Sequence, residues 1–316
     1  MIAAIWTIAL LVAFFLLLAW QLGKDKGKEQ GYFDGYKKGF SDAKFLSKME
    51  HERQHQLETM INKNTFIKCE VCLKRHGKHK TIMEQLNNIT LHFGDCMDML
   101  KNMPDKSFDL AIVDPPYFSG PERRQFYGSK VSKIGVKRLY EKSEKWEVPT
   151  AEYFDELQRV SKYYIVWGCN YFNYIFAPGR IVWDKCNGSS PFSDCEIAAT
   201  NLFTSVRLFP FMWNGMMQGK SVNEGRIMQG NKKLNEKRIH PTQKPVALYT
   251  WLLTKFAKEK WRILDTHLGS GSIAIACENF GCSLLGIEKD EHYYHAARER
   301  IIHYQHLQYA PSQTQG

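Results

Sequence analysis

Asp114 stands where an apolar run stops: in "DLAIVDPPYFSG", residues 109–120, it is followed at once by Pro115, Pro116 and Tyr117. Proline lacks an N–H and fixes φ, so a strand cannot run on through this pair and the loop behind the acid is stiff. A carboxylate held there, beside immobilised carbonyls and an aromatic ring, can accept hydrogen bonds from a ligand. The same residues would also suit a plain rigid turn. A second chemical stretch is "RILDTHLGSGSIAIACENFGCSLLGIEKDE", residues 262–291, in which an apolar run ends in Asp265, Gly269-Ser270-Gly271 make a turn, a helical pattern follows, and the next run ends in Glu288. Glycines at such a turn let the backbone approach a ligand, and an acid at the next strand end binds ribose hydroxyls, so a nucleoside is the expected ligand. G-x-G-x-x-G is not matched and no P-loop lysine is present, which argues against a pyrophosphate.

These residues need strands to carry them. "ITLHF", "DLAIV", "YYIVW", "RIVW", "RILD" and "LLGIE" are short β-rich runs, and helical patterns cover 151–161, 245–258, 272–280 and 291–306. Strands alternating with helices predict an α/β fold, a doubly wound and mostly parallel sheet with helices on both faces. Ligands of such sheets bind beyond the carboxyl ends of the strands, where both candidate stretches would lie.

The chain has 316 residues and a formal net charge of +10, which favours a polyanionic partner such as nucleic acid or an acidic membrane surface. Its eight cysteines are scattered, unlike a secreted disulfide framework, and a reducing compartment is expected. Residues 1–22, "MIAAIWTIALLVAFFLLLAWQL", carry no charge and are long enough to cross a bilayer core of about 30 Å as a helix. Lys24, Lys26 and Lys28 follow directly, which places that flank in the cytoplasm; a small-x-small cleavage site is lacking. The expectation is therefore an anchor over 1–23, a juxtamembrane helix or linker over 24–82, a catalytic domain over 83–310 and a disordered tail over 311–316.

Within the linker, Gly23, Gly27, Gly31, Gly35, Gly39 and Ala43 recur every four residues. On a helix they form one small-residue face suited to self-association; in water the same glycines suit a flexible linker. Cys69, Cys72, His76 and His79 are all zinc-ligating types, but the two pairs stand closer together than in usual structural zinc sites, and a basic linker is the preferred reading.

Three motifs in order, "DPPY" at 114–117, "HPTQKP" at 240–245 and "LDTHLGSGS" at 264–272, resemble the S-adenosylmethionine-dependent amino-methyltransferases of DNA, and the chain is similar to phage-type adenine N6 methyltransferases. The similarity extends over about residues 88–306 through "LHFGDC", "IVWGCNYF", "IVWDKCNG" and "FSDCEIA", with the catalytic motif first and the glycine loop last, the permuted β arrangement. It implies a Rossmann-like methyltransferase fold with S-adenosylmethionine as cofactor and DNA as partner. It also implies roles: Glu288 at the ribose, Asp95 near the cofactor adenine, Asp265, Gly269, Ser270 and Gly271 as the methionine-side loop, and His240, Thr242 and Lys244 closing over the methionine moiety, Lys244 towards its carboxylate. Thr266 and His267 stand where the commoner family loop has proline and an aromatic, and His267 is read as a packing residue.

Adenine N6 is a poor nucleophile because its lone pair is delocalised into the ring. An enzyme must hold the amine pyramidal and stabilise the positive charge that develops on it. Under the resemblance Asp114 accepts one amino proton, the Pro115 carbonyl the other, Pro116 stiffens the loop, and Tyr117 stacks on an extruded base, with direct in-line transfer of the methyl group. Residues 119–147 and 214–238, rich in Arg and Lys, are the expected DNA contacts. A cytosine N4 enzyme, whose family usually carries serine in place of Asp114, an RNA methyltransferase and a non-catalytic membrane-tethered DNA-binding protein are the alternatives.

Overall fold

In a computed structural model of the chain, the described residues are 82–118, 146–188, 193–214 and 217–309. The anchor segment, the glycine stripe, Cys69, Cys72, His76 and His79, most of the basic stretch 119–147 and the tail lie outside them. Among the described residues no helix is long and apolar enough to cross a membrane.

The described residues form, in chain order, β1 (Ile82–Leu86), β2 (Ile89–Phe93), α1 (Cys96–Leu100), β3 (Phe108–Val113), α2 (Ala151–Val160), β4 (Ser161–Trp167), β5 (Gly179–Asp184), β6 (Cys195–Thr200), β7 (Val206–Pro210), β8 (Trp213–Asn214), β9 (Met217–Gln218), α3 (Val246–Phe256), β10 (Arg262–Asp265), α4 (Ser272–Phe280), β11 (Ser283–Glu288) and α5 (Glu291–Tyr309). Nine of these strands form one sheet in the order β1-β2-β11-β10-β3-β4-β6-β5-β7, and β8 pairs with β9 in a small hairpin. β2, β11, β10, β3 and β4 run parallel; β1 and β6 run against their neighbours. The mixed α/β, mostly parallel sheet expected from the alternation is present.

The central strands show why it forms. Leu110, Ala111, Ile112 and Val113 are consecutive and all buried, so both faces of β3 are covered, as a parallel strand between helix layers requires. On one face Ala111 and Val113 join Tyr164, Val166, Leu264 and Ile287 beneath α1 and α2. α2 meets this face through Tyr153, Phe154, Leu157 and Val160, the one-sided spacing of an amphipathic helix, and Ser161 closes it by donating to the Leu157 carbonyl at 2.6 Å before β4 begins. The apolar run "YYIVW" begins at Tyr163; β4 starts two residues earlier because Ser161 pairs with Phe108.

The topology is what brings the chemistry together. β10, far along the chain, pairs directly with β3, Leu264 beside Ala111, and β11 enters between β10 and β2, Glu288 beside Phe93. The carboxyl ends of β2, β11, β10, β3 and β4 therefore share one rim.

The first strand is held by charge. Glu84 on β1 accepts from Arg298 of α5 in a two-pronged ion pair, at 2.5 and 2.7 Å, and both side chains are buried. Breaking a buried pair by removing one partner strands the other charge, at a cost of about 3–5 kcal/mol. An Arg298→Met variant is expected to lose that much stability in urea titration, and an added Glu84→Leu to restore most of it. Equal stability of the single and double variants would contradict this.

Candidate active site

The cofactor half is built from backbone turns at the strand ends. The Gly94 N–H donates to the Glu288 carbonyl at 3.0 Å, locking the end of β2 to the end of β11. Asp95 then caps α1, accepting from the Met97 N–H at 2.8 Å, and its other oxygen lies 3.6 Å from Lys289. Gly269 and Gly271 both adopt positive φ, +54° and +70°, which glycine takes without strain, and a Cβ on Gly271 would press on Ile301 and Ala297 of α5. Glu288 is tied into this loop: Oε2 accepts from the Gly269 N–H at 2.8 Å and Oε1 from the Asp290 N–H at 2.9 Å. Asp265 accepts from the His267 N–H at 3.0 Å. Ser270 directs its hydroxyl to Ser272 at 3.0 Å, and Arg300 clamps the turn by donating to the Ser270 carbonyl at 2.8 Å.

Acids crowd this rim. Burial pushes the Asp265 carboxyl up to about 8, helped by the negative charges of Asp114 and Glu288, and burial pushes Glu288 up to about 7. Such a cluster has unspent affinity for a cation and for hydroxyl donors.

Asp114 follows directly on β3 and is largely buried. Its Oδ1 accepts from the Tyr117 hydroxyl, and its Oδ2 lies 2.5 Å from the Lys244 ammonium. Lys244, which the resemblance directs towards a methionine carboxylate, is paired with Asp114 and, at 2.8 Å, with Glu196; it also donates to the Tyr117 hydroxyl at 3.1 Å. The Tyr117 ring lies so close against Gly168 that any Cβ there would run into it, so that position requires glycine. On the ring stacks Tyr171, centroids 4.9 Å apart and planes 9° apart, with Phe172 edge-on at 6.1 Å. Tyr117 thus presents a face that accepts a flat ring, and here that ring is the half-exposed Tyr171.

The "HPTQKP" segment bridges the two halves. His240 stacks on Trp146, centroids 5.8 Å apart, meets Tyr293 edge-on at 4.2 Å, and lies beside Gly269. Burial, and then the Lys244 charge, lower its pKa to about 3, so it is a neutral wall rather than a base. Thr242 folds back on it, its N–H donating to His240 Nδ1 at 3.3 Å. His267, lowered to about 4 by burial, packs edge-on against Tyr153 and bonds Thr266 at 2.9 Å, the packing role expected of it.

The structure brings Asp95, Asp114, Tyr117, His240, Lys244, Asp265, Gly269, Gly271 and Glu288 to one rim. Four further participants receive no individual role from the sequence: Tyr171, Lys185 and Glu196 lie within the family-like stretches "IVWGCNYF", "IVWDKCNG" and "FSDCEIA", and Glu236 within 214–238. An acid inside the apolar strand run "CEIAAT" is a readable sign of Glu196. Glu236 offers none, lying in a charged run, yet it gathers Arg300 at 2.6 Å, Gln243 at 2.7 Å and the Val246 N–H at 2.9 Å. Among the described residues no group of His, Cys, Asp and Glu could hold a metal ion.

Residues 213–299, which contain His240, Lys244, Asp265, the glycine turn and Glu288, match a family model described as DNA methylase, the N6/N4 class. Over that stretch, which carries most of the rim, the chain is similar to DNA methylases of this class, for which the family resemblance implies S-adenosylmethionine as cofactor. Among curated proteins it is similar to the type II methyltransferase M.HpaI of Haemophilus parainfluenzae, 27% identical over 64% of this chain and 70% of that one. It is also similar to M.HinfI of Haemophilus influenzae, 24% identical over 69% and 70%. Solved structures that align with it include an M1.HpyAVI–SAM complex, at 19% identity and a TM-score of 0.42 over 67% of this chain and 99% of that one, and the cytosine-N4-specific PvuII DNA methyltransferase, at 15% and 0.43 over 68% and 87%.

The residues fit that cofactor: Glu288 for ribose hydroxyls, positive-φ glycines for close backbone approach, and an acidic rim for a sulfonium charge. Binding is expected to expel protons. At about pH 7.5 part of Asp265 and Glu288 is protonated, a cation and hydroxyl donors favour the carboxylates, and affinity should rise between about pH 6 and about pH 8. Calorimetric titration in two buffers of different ionisation heat measures the release; identical heats would contradict it.

Proposed function

We propose that this protein methylates the exocyclic N6 amine of adenine in DNA, on a base swung out of the duplex. The observation that carries the reading is Asp114 at the tip of β3, one strand from Asp265 and the glycine turn, with prolines fixing the loop behind it. S-adenosylmethionine, when bound, supplies a methyl group already activated by its sulfonium charge. The chain's own task is then positioning. Asp114 and the Pro115 carbonyl accept the two amino protons, turning the nitrogen lone pair out of conjugation and balancing the charge that builds on it. Tyr117 offers its face to the purine, in the slot that Tyr171 marks. Water is kept from the rim by the aromatic wall of Trp146, His240 and Tyr293. No covalent intermediate with the protein is required.

The acid itself favours adenine, since the resemblance assigns serine to this position in cytosine N4 enzymes. The test is incubation of the protein with labelled S-adenosylmethionine and PCR-amplified, hence unmodified, DNA, followed by mass spectrometry of the nucleosides. N6-methyladenine is expected. N4-methylcytosine, product in RNA alone, or DNA binding without any transfer would each replace this reading.

The uncharged segment 1–22 and the lysines after it support a further part of the reading: a single-pass anchor that holds the catalytic domain in the cytoplasm of a bacterial host, with the glycine stripe available for self-association. Deleting residues 1–23 is expected to move the protein from the membrane fraction to the soluble one with methyl transfer retained. A truncated chain that stays in the membrane fraction, or a folded soluble one without activity, counts against the anchor.

A further inference from the structure

Glu196 is a largely buried acid to which the chemistry above gives no work. It stands on β6, the antiparallel neighbour of β4, and its carboxylate faces the site: Oε2 lies 2.8 Å from Lys244 Nζ and Oε1 2.5 Å from Lys185 Nζ. Lys244, with only 3% of its side chain exposed, is therefore held between two carboxylates, Glu196 on one side and Asp114 on the other. An ammonium so far from water is tolerable only when opposite charge and hydrogen bonds surround it. Asp114 alone would meet the charge, but the ammonium would then rest wholly on the oxygen atoms needed by an incoming amine. A second acid divides its pull.

We propose that Glu196 is a positioning residue for methyl transfer: backed by Lys185, it shares the Lys244 ammonium, so that Asp114 is charge-compensated yet remains a strong acceptor for the target amine. This rests on the reading of Asp114 given above. Among the described residues, the groups facing Asp114 are Tyr117 from its own loop, Lys244 from the segment before α3, Glu196 from β6, Asp265 from β10, Tyr249 from α3 and Tyr153 from α2. Lys244 supplies the positive charge in this group. Burial raises the Asp114 carboxyl, Lys244 lowers it, and Glu196 raises it again. Glu196, against its burial, is held down at about 2 by Lys244 and Lys185, so a proton entering this pair goes to Asp114.

The test is single-turnover transfer from tritiated S-adenosylmethionine to PCR-amplified DNA across pH, using the full chain and its Glu196→Gln, Lys244→Gln and Asp114→Asn variants. Without the Glu196 charge, Lys244 turns wholly to Asp114: the acidic limb of the rate should move down by about one pH unit, and the plateau should fall about tenfold as the acceptor weakens. Without Lys244 the limb should move up by about one unit. Glu196→Asp should recover part of the plateau.

Opposite displacements are the signature, since a merely structural role would lower plateaus and leave the limbs in place. That result would overturn the proposal. Should Lys244→Gln fail to fold, the direction of the Glu196→Gln limb decides alone. If Asp114→Asn is inactive while the other limbs coincide with wild type, the Glu196 inference alone fails. If Asp114→Asn is fully active, the Asp114 reading fails and takes this one with it.

Discussion

Asp114→Asn is expected to reduce single-turnover methyl transfer by about 10³-fold, the scale of losing a preorganised electrostatic group at a reacting centre. An amide has the size of the carboxylate and can still accept from the Tyr117 hydroxyl, so the loop should keep its shape. It cannot carry the charge that balances a nitrogen becoming cationic. Cofactor affinity should stay within about threefold of wild type, because the hydrogen bonds of Asp114 go to Tyr117 and Lys244 while its charge is felt at Asp265. Equilibrium dialysis with S-adenosylmethionine beside rapid-quench kinetics separates the two effects. A variant that loses binding as much as rate would place Asp114 in the cofactor site rather than at the amine.

The second large effect belongs to Glu288. Its two oxygens already accept from the Gly269 and Asp290 N–H groups, and each has a lone pair left for a ribose hydroxyl. Glu288→Gln turns one of those acceptors into a donor and removes the charge from the other. The expected loss of cofactor affinity is about 30- to 100-fold at about pH 8, the worth of charge-assisted hydrogen bonds in a buried site. The difference should shrink towards about pH 6, because the wild-type carboxyl is pushed up to about 7 and is itself neutralised there. A gap that does not change with pH would mean that Glu288 meets its ligand already protonated.

What can be read from sequence follows from how locally each feature is determined. The runs "DLAIV", "RILD" and "LLGIE" are apolar because their strands are covered on both faces, and each is a central strand. α4 matches the expected bounds 272–280, since Gly271 and Gly281 flank it in the left-handed conformation. The edges are less legible. β1 is "IMEQL", where Glu84 reads as a break and is in fact half of a buried ion pair with a residue far along the chain. β7 carries no clear strand pattern either, for it is an edge with Val206 and Leu208 exposed, and only pairing with β5 makes it one.

The site divides in the same way. Asp114, Asp265, the glycines and Glu288 are recognisable because each sits at or just beyond a strand end, a position that sequence alone can mark. The partner of Lys244 is not recognisable. Its choice of Asp114 and Glu196 depends on how the segment 240–245 folds across the rim, and that depends on Glu236, whose bonds to Gln243, the Val246 N–H and Arg300 have no counterpart in local pattern.

The large sheet is completed by strands made late. β10 and β11 fill the place between β2 and β3, so a growing chain that has passed Phe256 still lacks both strands that join its early half to its cofactor loop. Until residue 288 has left the ribosome, a gap separates β2 from β3 and the strand that precedes Asp114 is not yet joined to the strand that ends in Glu288. The rim is thus completed in one late step of synthesis, and a premature stop ahead of these two strands leaves Asp114 without the strands that carry Asp265 and Glu288.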